Sequence, residues 1–314
     1  MSILKPLVTF LLTLGVSLSS QADFLKLEKF GANPGDLEAS YFTPDIENPA
    51  LVVLLHGCAQ QGDELALQSG LFGLAKKYNF ALLLPQQGLN NNITRCFNWY
   101  SADDFTRDSG ESLSIKNMIS RLKEQLGSKE VYIIGLSAGG AMASGMLANY
   151  PALFTAGAVV AGIPFPCADG LITGISCMRN GPSQTVDELV TLVEKINPKQ
   201  KTWPKLSVWT GKNDSIVNPL NSSMLAQQWA NLSALESNPI INHKSGYTVT
   251  LWQNSAKETQ VELIEVSNLG HGIMVNPHVE NGGEVSDYVL ASPISTVKHV
   301  IDFWQLSLSI NRNK

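Results

Sequence analysis

Residues 131–150, VYIIGLSAGGAMASGMLANY, constrain this chain more than any other stretch. Val131, Tyr132, Ile133 and Ile134 form a short apolar, β-prone run, the pattern of a strand buried on both faces. Gly135-Leu136-Ser137-Ala138-Gly139 follows at once, and helix-forming residues continue to Tyr150, stopped before Pro151. A strand that turns sharply into a helix strains the backbone of the residue at the apex, here Ser137. Gly135 and Gly139 are expected where a Cβ would collide with neighbouring chain. The helix N-terminus then aims its free N–H groups at any negative charge forming beside Ser137. A bare G-x-S-x-G pattern arises by chance in many chains, but flanked by this strand and helix it reads as a nucleophile elbow.

The rest of the chain repeats the alternation. FLKLEKF (24–30) and DLEASYFTP (36–44) alternate apolar and polar residues like an antiparallel edge hairpin. ALVVLLHG (50–57), FALLLP (80–85) and TAGAVVAG (155–162) read as buried strands, and KLSVWTG (205–211) as another. Between them, Leu67, Leu71, Leu74 and Tyr78 recur at helical spacing, as do Ile115, Ile119, Leu122 and Leu126 over 110–126, ended by Gly127. Later come a helix starting at Asn218-Pro219, two alternating strands at 246–254 and 260–268, and a last helix from Ser292-Pro293. That helix carries Ile294, Val297, Ile301, Trp304 and Leu308 on one face. Residues 163–204, with Pro164, Pro166 and a helix near 184–196, interrupt the rhythm as an insertion over the site. The order of elements predicts an α/β-hydrolase fold: one domain, 23–314, with a mostly parallel sheet, helices on both faces and an N-terminal antiparallel edge.

Residues 1–22 have the form of a signal peptide, with Lys5, an apolar core from Leu7 to Leu18, and Ser20-Gln21-Ala22 as cleavage site. The apolar run is too short to span a bilayer. Export predicts a secreted or periplasmic location, and an oxidising compartment makes the four cysteines two disulfides. Three pairings are possible. Cys58–Cys96 with Cys167–Cys177 is preferred, since the second closes a short loop and the first joins two segments that border the site. A net charge of −5 without a Lys/Arg cluster makes nucleic acid and anionic membranes poor partners and a neutral substrate a better one. Nothing in the motifs calls for a cofactor or metal.

An acyl-transfer serine needs a base, and an acid that fixes the base's tautomer, in chain order Ser, acid, His. Of five histidines, His56 precedes Ser137 and is expected to order its own loop. His299 falls in the last helix, and His243 and His278 in polar loops without glycines. His271, in Leu269-Gly270-His271-Gly272 after a strand, is the candidate base. Asp214, just past the strand 205–211, belongs on the rim where ligands bind in such sheets and is the candidate acid; an Asx-turn or capping role is the competing explanation. Asp187 lies in the insertion, and Asp287 and Asp302 come after His271. The oxyanion donors should be the N–H of Ala138 and, from the loop after His56-Gly57, that of Cys58. Trp99 is a candidate wall of the acyl pocket. The Asn-x-Ser/Thr triplets at Asn92, Asn213, Asn221 and Asn231 carry glycans only in a eukaryotic secretory route.

Together these motifs resemble the poly(3-hydroxybutyrate) depolymerase-like esterase family. The matching pieces are HGCAQ (56–60), RCFNW (95–99), GLSAGGAMA (135–143), PFPCADG with SCM (164–178), WTGKNDSIVNP (209–219) and GHGI (270–273), in the same order. The resemblance implies Ser137, Asp214 and His271 as the triad, Cys58 as oxyanion donor, and short-chain 3-hydroxyalkanoate esters as substrate. Secreted depolymerases of solid polymer usually append a polymer-binding domain. Here the chain ends soon after its last helix, so amorphous polymer or oligomers are expected. Feruloyl and acetylxylan esterases share much of the architecture and supply the alternative substrates. A non-catalytic binding protein on the same scaffold is the rival from another class; a missing triad residue would mark it, and none is missing.

Overall fold

The computed structural model describes residues 24–236 and 238–307. The expected signal segment at 1–22, and Leu308, lie outside the described residues. Ten strands make one sheet: β1 (Leu25–Lys26), β2 (Glu38–Phe42), β3 (Leu51–Leu55), β4 (Ala81–Gln86), β5 (Val131–Leu136), β6 (Ala156–Val160), β7 (Lys205–Gly211), β8 (Ile240–Lys244), β9 (Tyr247–Gln253) and β10 (Thr259–Val266). Their order is β1-β2-β4-β3-β5-β6-β7-β10-β9-β8. The six from β4 to β10 run parallel. The expected N-terminal hairpin pairs antiparallel at one edge. A second antiparallel edge, β10-β9-β8, closes the other side. A separate parallel pair joins β11 (Ile273–Val275) to β12 (Val289–Ala291).

The continuous apolar runs are central because both sheet faces are covered. Leu51, Val53 and Leu55 face one apolar core, while Val52 and Leu54 face the other. The first core packs against α4 (Gly110–Leu126), α5 (Ala138–Asn149), α7 (Val186–Ile196) and α8 (Leu220–Leu232); the short α3 (Ala102–Phe105) leads into α4. The second packs against α1 (Gly62–Gln68), α2 (Leu71–Tyr78) and α9 (Thr296–Phe303). In α4 the stripe Ile115, Met118, Ile119, Leu122 is fully buried, each residue contributing roughly 1.5–3 kcal/mol of transfer free energy. Gly127, left-handed at φ 68°, ends that helix as its sequence predicts.

Four local expectations are corrected. The helix expected through Leu67 to Tyr78 is two, broken at Ser69-Gly70, which leaves Leu67 exposed. The last helix starts at Thr296, so Ile294 packs from the preceding loop. His243 lies on β8, an edge strand, and not in a loop. Residues 163–204 hold two helices: α7, opened by a capping box of Thr185 and Glu188, and α6 (Leu171–Asn180). α6 leaves Leu171, Ile172 and Ile175 exposed, so no buried stripe betrays it in the sequence.

Candidate active site

Ser137 sits between β5 and α5 with φ 57° and ψ −119°, a conformation that a side chain other than hydrogen disfavours. The turn is held by the Ser137 N–H donating to the Val160 carbonyl at 2.9 Å. A Cβ on Gly135 would run into the carbonyl of Gly139, and one on Gly139 into that of Leu55. Strand, apex and helix therefore meet without intervening side chains, and the first N–H groups of α5 are left without intrahelical acceptors beside the hydroxyl.

His271 leaves the loop after β10 and reaches this hydroxyl. Its Nε2 is 2.8 Å from Ser137 Oγ, and its Nδ1 is 2.7 Å from Asp214 Oδ2. The other carboxylate oxygen of Asp214 accepts the N–H groups of Ile216 and Val217, both at 2.9 Å. Those two donors orient the acid, and the acid in turn selects the tautomer with the proton on Nδ1, leaving Nε2 to accept the serine proton. The Asp214 side chain is fully buried and that of His271 nearly so. The arrangement can move a proton from Ser137 to His271 while a carboxylate stabilises the imidazolium.

The opposite wall carries Gly57 and Cys58. Both expected disulfides are formed, Cys58–Cys96 and Cys167–Cys177. Gly57 backs onto the apex: a Cβ there would lie 3.4 Å from Ser137 Cβ, and its N–H donates to Gln60 Oε1 at 2.8 Å. His56 is fully buried, donates from Nδ1 to the Gly57 carbonyl at 2.6 Å and accepts the Gln87 N–H on Nε2 at 3.1 Å. Burial pushes its pKa down to about 4, so the ring is neutral and orders this loop. Ala138 is the first residue of α5, on the same cleft.

Ser137 and His271 open on an apolar cleft that Trp99 lines. Tyr288, Met178, Ile163, Ile216 and Val217 also line it. Sequence reasoning missed these five. Tyr288 sits at φ 60° just before β12 with its ring edge-on to His271, centroids 6.0 Å apart, and no periodicity marks it. The remaining histidines are elsewhere. His299 is packed on α9 against Glu262; burial opposes its charge, yet the Glu262 hydrogen bond at 3.0 Å and charge hold it above the ordinary histidine value. Asp187 is held by Asn231 Nδ2 at 3.3 Å on α7, Asp302 lies on α9, and Asp287 sits in an adjoining polar groove. Among the described residues no three His, Cys, Asp or Glu side chains converge to hold a metal ion.

Residues 38–246 match the family described as Esterase PHB depolymerase. The chain belongs to this esterase family. Over 274 residues the esterase is 33% identical to poly(3-hydroxyalkanoate) depolymerase C of Paucimonas lemoignei, an alignment that takes in 84% of the chain and 65% of that relative. The chain thus spans just under two thirds of that depolymerase's length. It is also 28% identical to feruloyl esterase B of Talaromyces stipitatus, over 80% of the chain and 72% of the relative. Identity is 26% to acetylxylan esterase A of Aspergillus ficuum, over 80% and 86% respectively. Among solved structures, the acetyl xylan esterase from Aspergillus awamori superposes with a TM-score of 0.76 at 20% identity, covering 90% of this chain and 99% of that one. At that identity the likeness speaks for the α/β-hydrolase fold alone.

Proposed function

We propose that this esterase is an exported serine hydrolase of short-chain 3-hydroxyalkanoate esters, poly(3-hydroxybutyrate) or its oligomers, working through an acyl-enzyme on Ser137. The observation that carries the reading is the unbroken relay from Asp214 through His271 to Ser137 at 2.7 and 2.8 Å. Ser137 Oγ attacks the ester carbonyl as its proton passes to His271 Nε2. The carbonyl oxygen becomes an oxyanion, held by the N–H groups of Cys58 and Ala138. The imidazolium, stabilised by Asp214, then protonates the departing alkoxide, and the tetrahedral adduct collapses to the acyl-enzyme. Water, deprotonated by His271, releases the acid and restores the serine.

Export rests on the form of residues 1–22 and on two disulfides, which persist in oxidising compartments. The mature chain from residue 23 onward is read as one catalytic domain, with 163–204 inserted beside the cleft and Met178 of α6 forming part of its wall. The hydroxyalkanoate assignment is supported by the depolymerase relative and by an apolar, uncharged cleft suited to a neutral ester. Feruloyl or acetylated polysaccharide esters are the second reading. A polar groove lined by Gln60, Gln61, Glu64, Gln68, Ser286 and Asp287, which shares Cys58, Gln60 and Tyr288 with the cleft, favours it because sugar hydroxyls would find partners there. The test is a kcat/KM panel of 3-hydroxybutyrate oligomers, amorphous polymer, feruloyl esters and acetylated xylan. Preference for the first two supports the proposal, and preference for the last two overturns its substrate. Loss of all activity in Ser137→Ala, with the fold intact, checks the mechanism.

A further inference from the structure

Behind the cleft wall lies a fully buried carboxyl group whose hydrogen-bond partners are all uncharged. Glu111 is the second residue of α4. Its Oε1 accepts from Gln87 Nε2 at 2.5 Å, Asn91 Nδ2 at 3.0 Å and Asn98 Nδ2 at 2.9 Å, and its Oε2 accepts the Asn98 N–H at 2.8 Å. Burying an ion among neutral partners is costly, by several kcal/mol even after relaxation. Burial does push this carboxyl up to about 8, with the charge of Asp104 adding to the effect and the Asn98, Gln87 and Asn91 hydrogen bonds opposing it. An apolar residue would fill the helix position at lower cost, so the site demands the acceptors.

What those acceptors hold is the rim of the cleft. Gln87 also donates from Nε2 to the Cys96 carbonyl at 3.1 Å, and its backbone N–H caps His56 Nε2 at 3.1 Å. His56 grips the Gly57 carbonyl, the peptide group that also contains the Cys58 N–H, while Cys96 is bonded to Cys58 through sulfur. On the other side the Asn98 N–H anchors the Phe97–Asn98 peptide, one residue ahead of Trp99. One buried carboxyl group thereby ties down both the Cys58 loop and the aromatic wall.

We infer that Glu111 is a positioning residue that sets the Cys58 N–H and Trp99 against Ser137. The inference rests on Ser137 being the nucleophile. Glutamine is nearly isosteric, but it replaces one oxygen by an NH2 group. Either orientation of the amide sets donor against donor: with the NH2 towards Gln87, Asn91 and Asn98 Nδ2, Gln87 and the Cys58 loop it holds must move, and with the NH2 towards the Asn98 N–H, the Phe97–Asn98 peptide must move.

The experiment compares wild type, Glu111→Gln and Asn98→Ala at a pH well above 8, with p-nitrophenyl butyrate as substrate and butylboronic acid as a tetrahedral mimic. For folded Glu111→Gln, kcat falls and the boronate inhibition constant rises together by about tenfold, a partial loss of one oxyanion donor, while KM stays within about threefold. Asn98→Ala, which keeps the carboxylate and the backbone bond, moves both in the same direction by less. A merely structural role lowers stability without separating kcat from KM. Wild-type kcat and boronate affinity in folded Glu111→Gln, or a change in KM alone, overturns the inference. If Glu111→Gln does not fold, unchanged boronate affinity in Asn98→Ala does so. Wild type that ignores the boronate, or an active Ser137→Ala, sinks the serine reading itself and this inference with it.

Discussion

The imidazole Nε2 of His271 lies 2.8 Å from the hydroxyl of Ser137, a residue 134 positions earlier in the chain. The contact exists because β5 and β10 belong to one sheet, with β6 and β7 between them, and each releases its loop at the same end. Asp214, released by β7 in that interval, completes the line at 2.7 Å from Nδ1.

Asp214→Asn keeps the shape of the acid but presents an amide to His271, which then favours the wrong tautomer. The expected loss in kcat is about three to four orders of magnitude with little change in KM. Steady-state kinetics on any soluble ester substrate check this, and a loss below tenfold contradicts the assigned role.

Stability should fall on acidification through His56. Its pKa is lowered to about 4 in the folded protein, from 6.5, because burial disfavours the charged ring. Between those values the unfolded chain binds the extra proton, so this contribution is complete above 6.5 and is lost as pH falls towards 4. The loss amounts to about 3 kcal/mol. Urea unfolding from pH 7 to pH 4 measures it, and His56→Gln should show a shallower slope over that window.

Replacing Cys58 and Cys96 together by serine opens a loop spanning 38 residues. The chain-entropy expectation is a loss of about 4 kcal/mol in unfolding free energy. Because the bridge also borders the cleft, kcat should fall in the variant even under conditions where it remains folded. Removal of the Cys167–Cys177 bridge, whose sequence separation is 10, should cost less.

Tyr288→Ala removes the ring that meets His271 edge-on and shares the cleft with Trp99. The expected effect is a rise in KM of about tenfold, from lost aromatic contact area, with kcat changed less. A kcat loss exceeding the KM change would instead make Tyr288 a support for His271.

Much of this architecture was legible because strong local signals coincide with global ones. The apolar runs around Val52, Leu83 and Ile133 are strands buried on both faces, and the glycines at 135 and 139 mark a turn with no room for a Cβ at those two positions. Ser137, Asp214 and His271 each follow a strand pattern, so their shared rim could be read without coordinates. Elements whose reasons are not local stayed hidden. α6 exposes its apolar residues, and β11 and β12 are three-residue strands that form a separate two-stranded sheet. Tyr288 reaches the cleft from a loop whose path the tertiary fold decides. Glu111 did leave a trace, a charge four residues before Ile115 on the buried stripe of α4, where only a polar network can accommodate it.

The most direct test of the central claim is to treat the folded protein with diisopropyl fluorophosphate and map the adduct by peptide mass spectrometry. One adduct, on Ser137, absent from Ser137→Ala and much slower to form in His271→Ala, is the predicted result. A folded protein that takes no label, or takes it on another serine, contradicts the account.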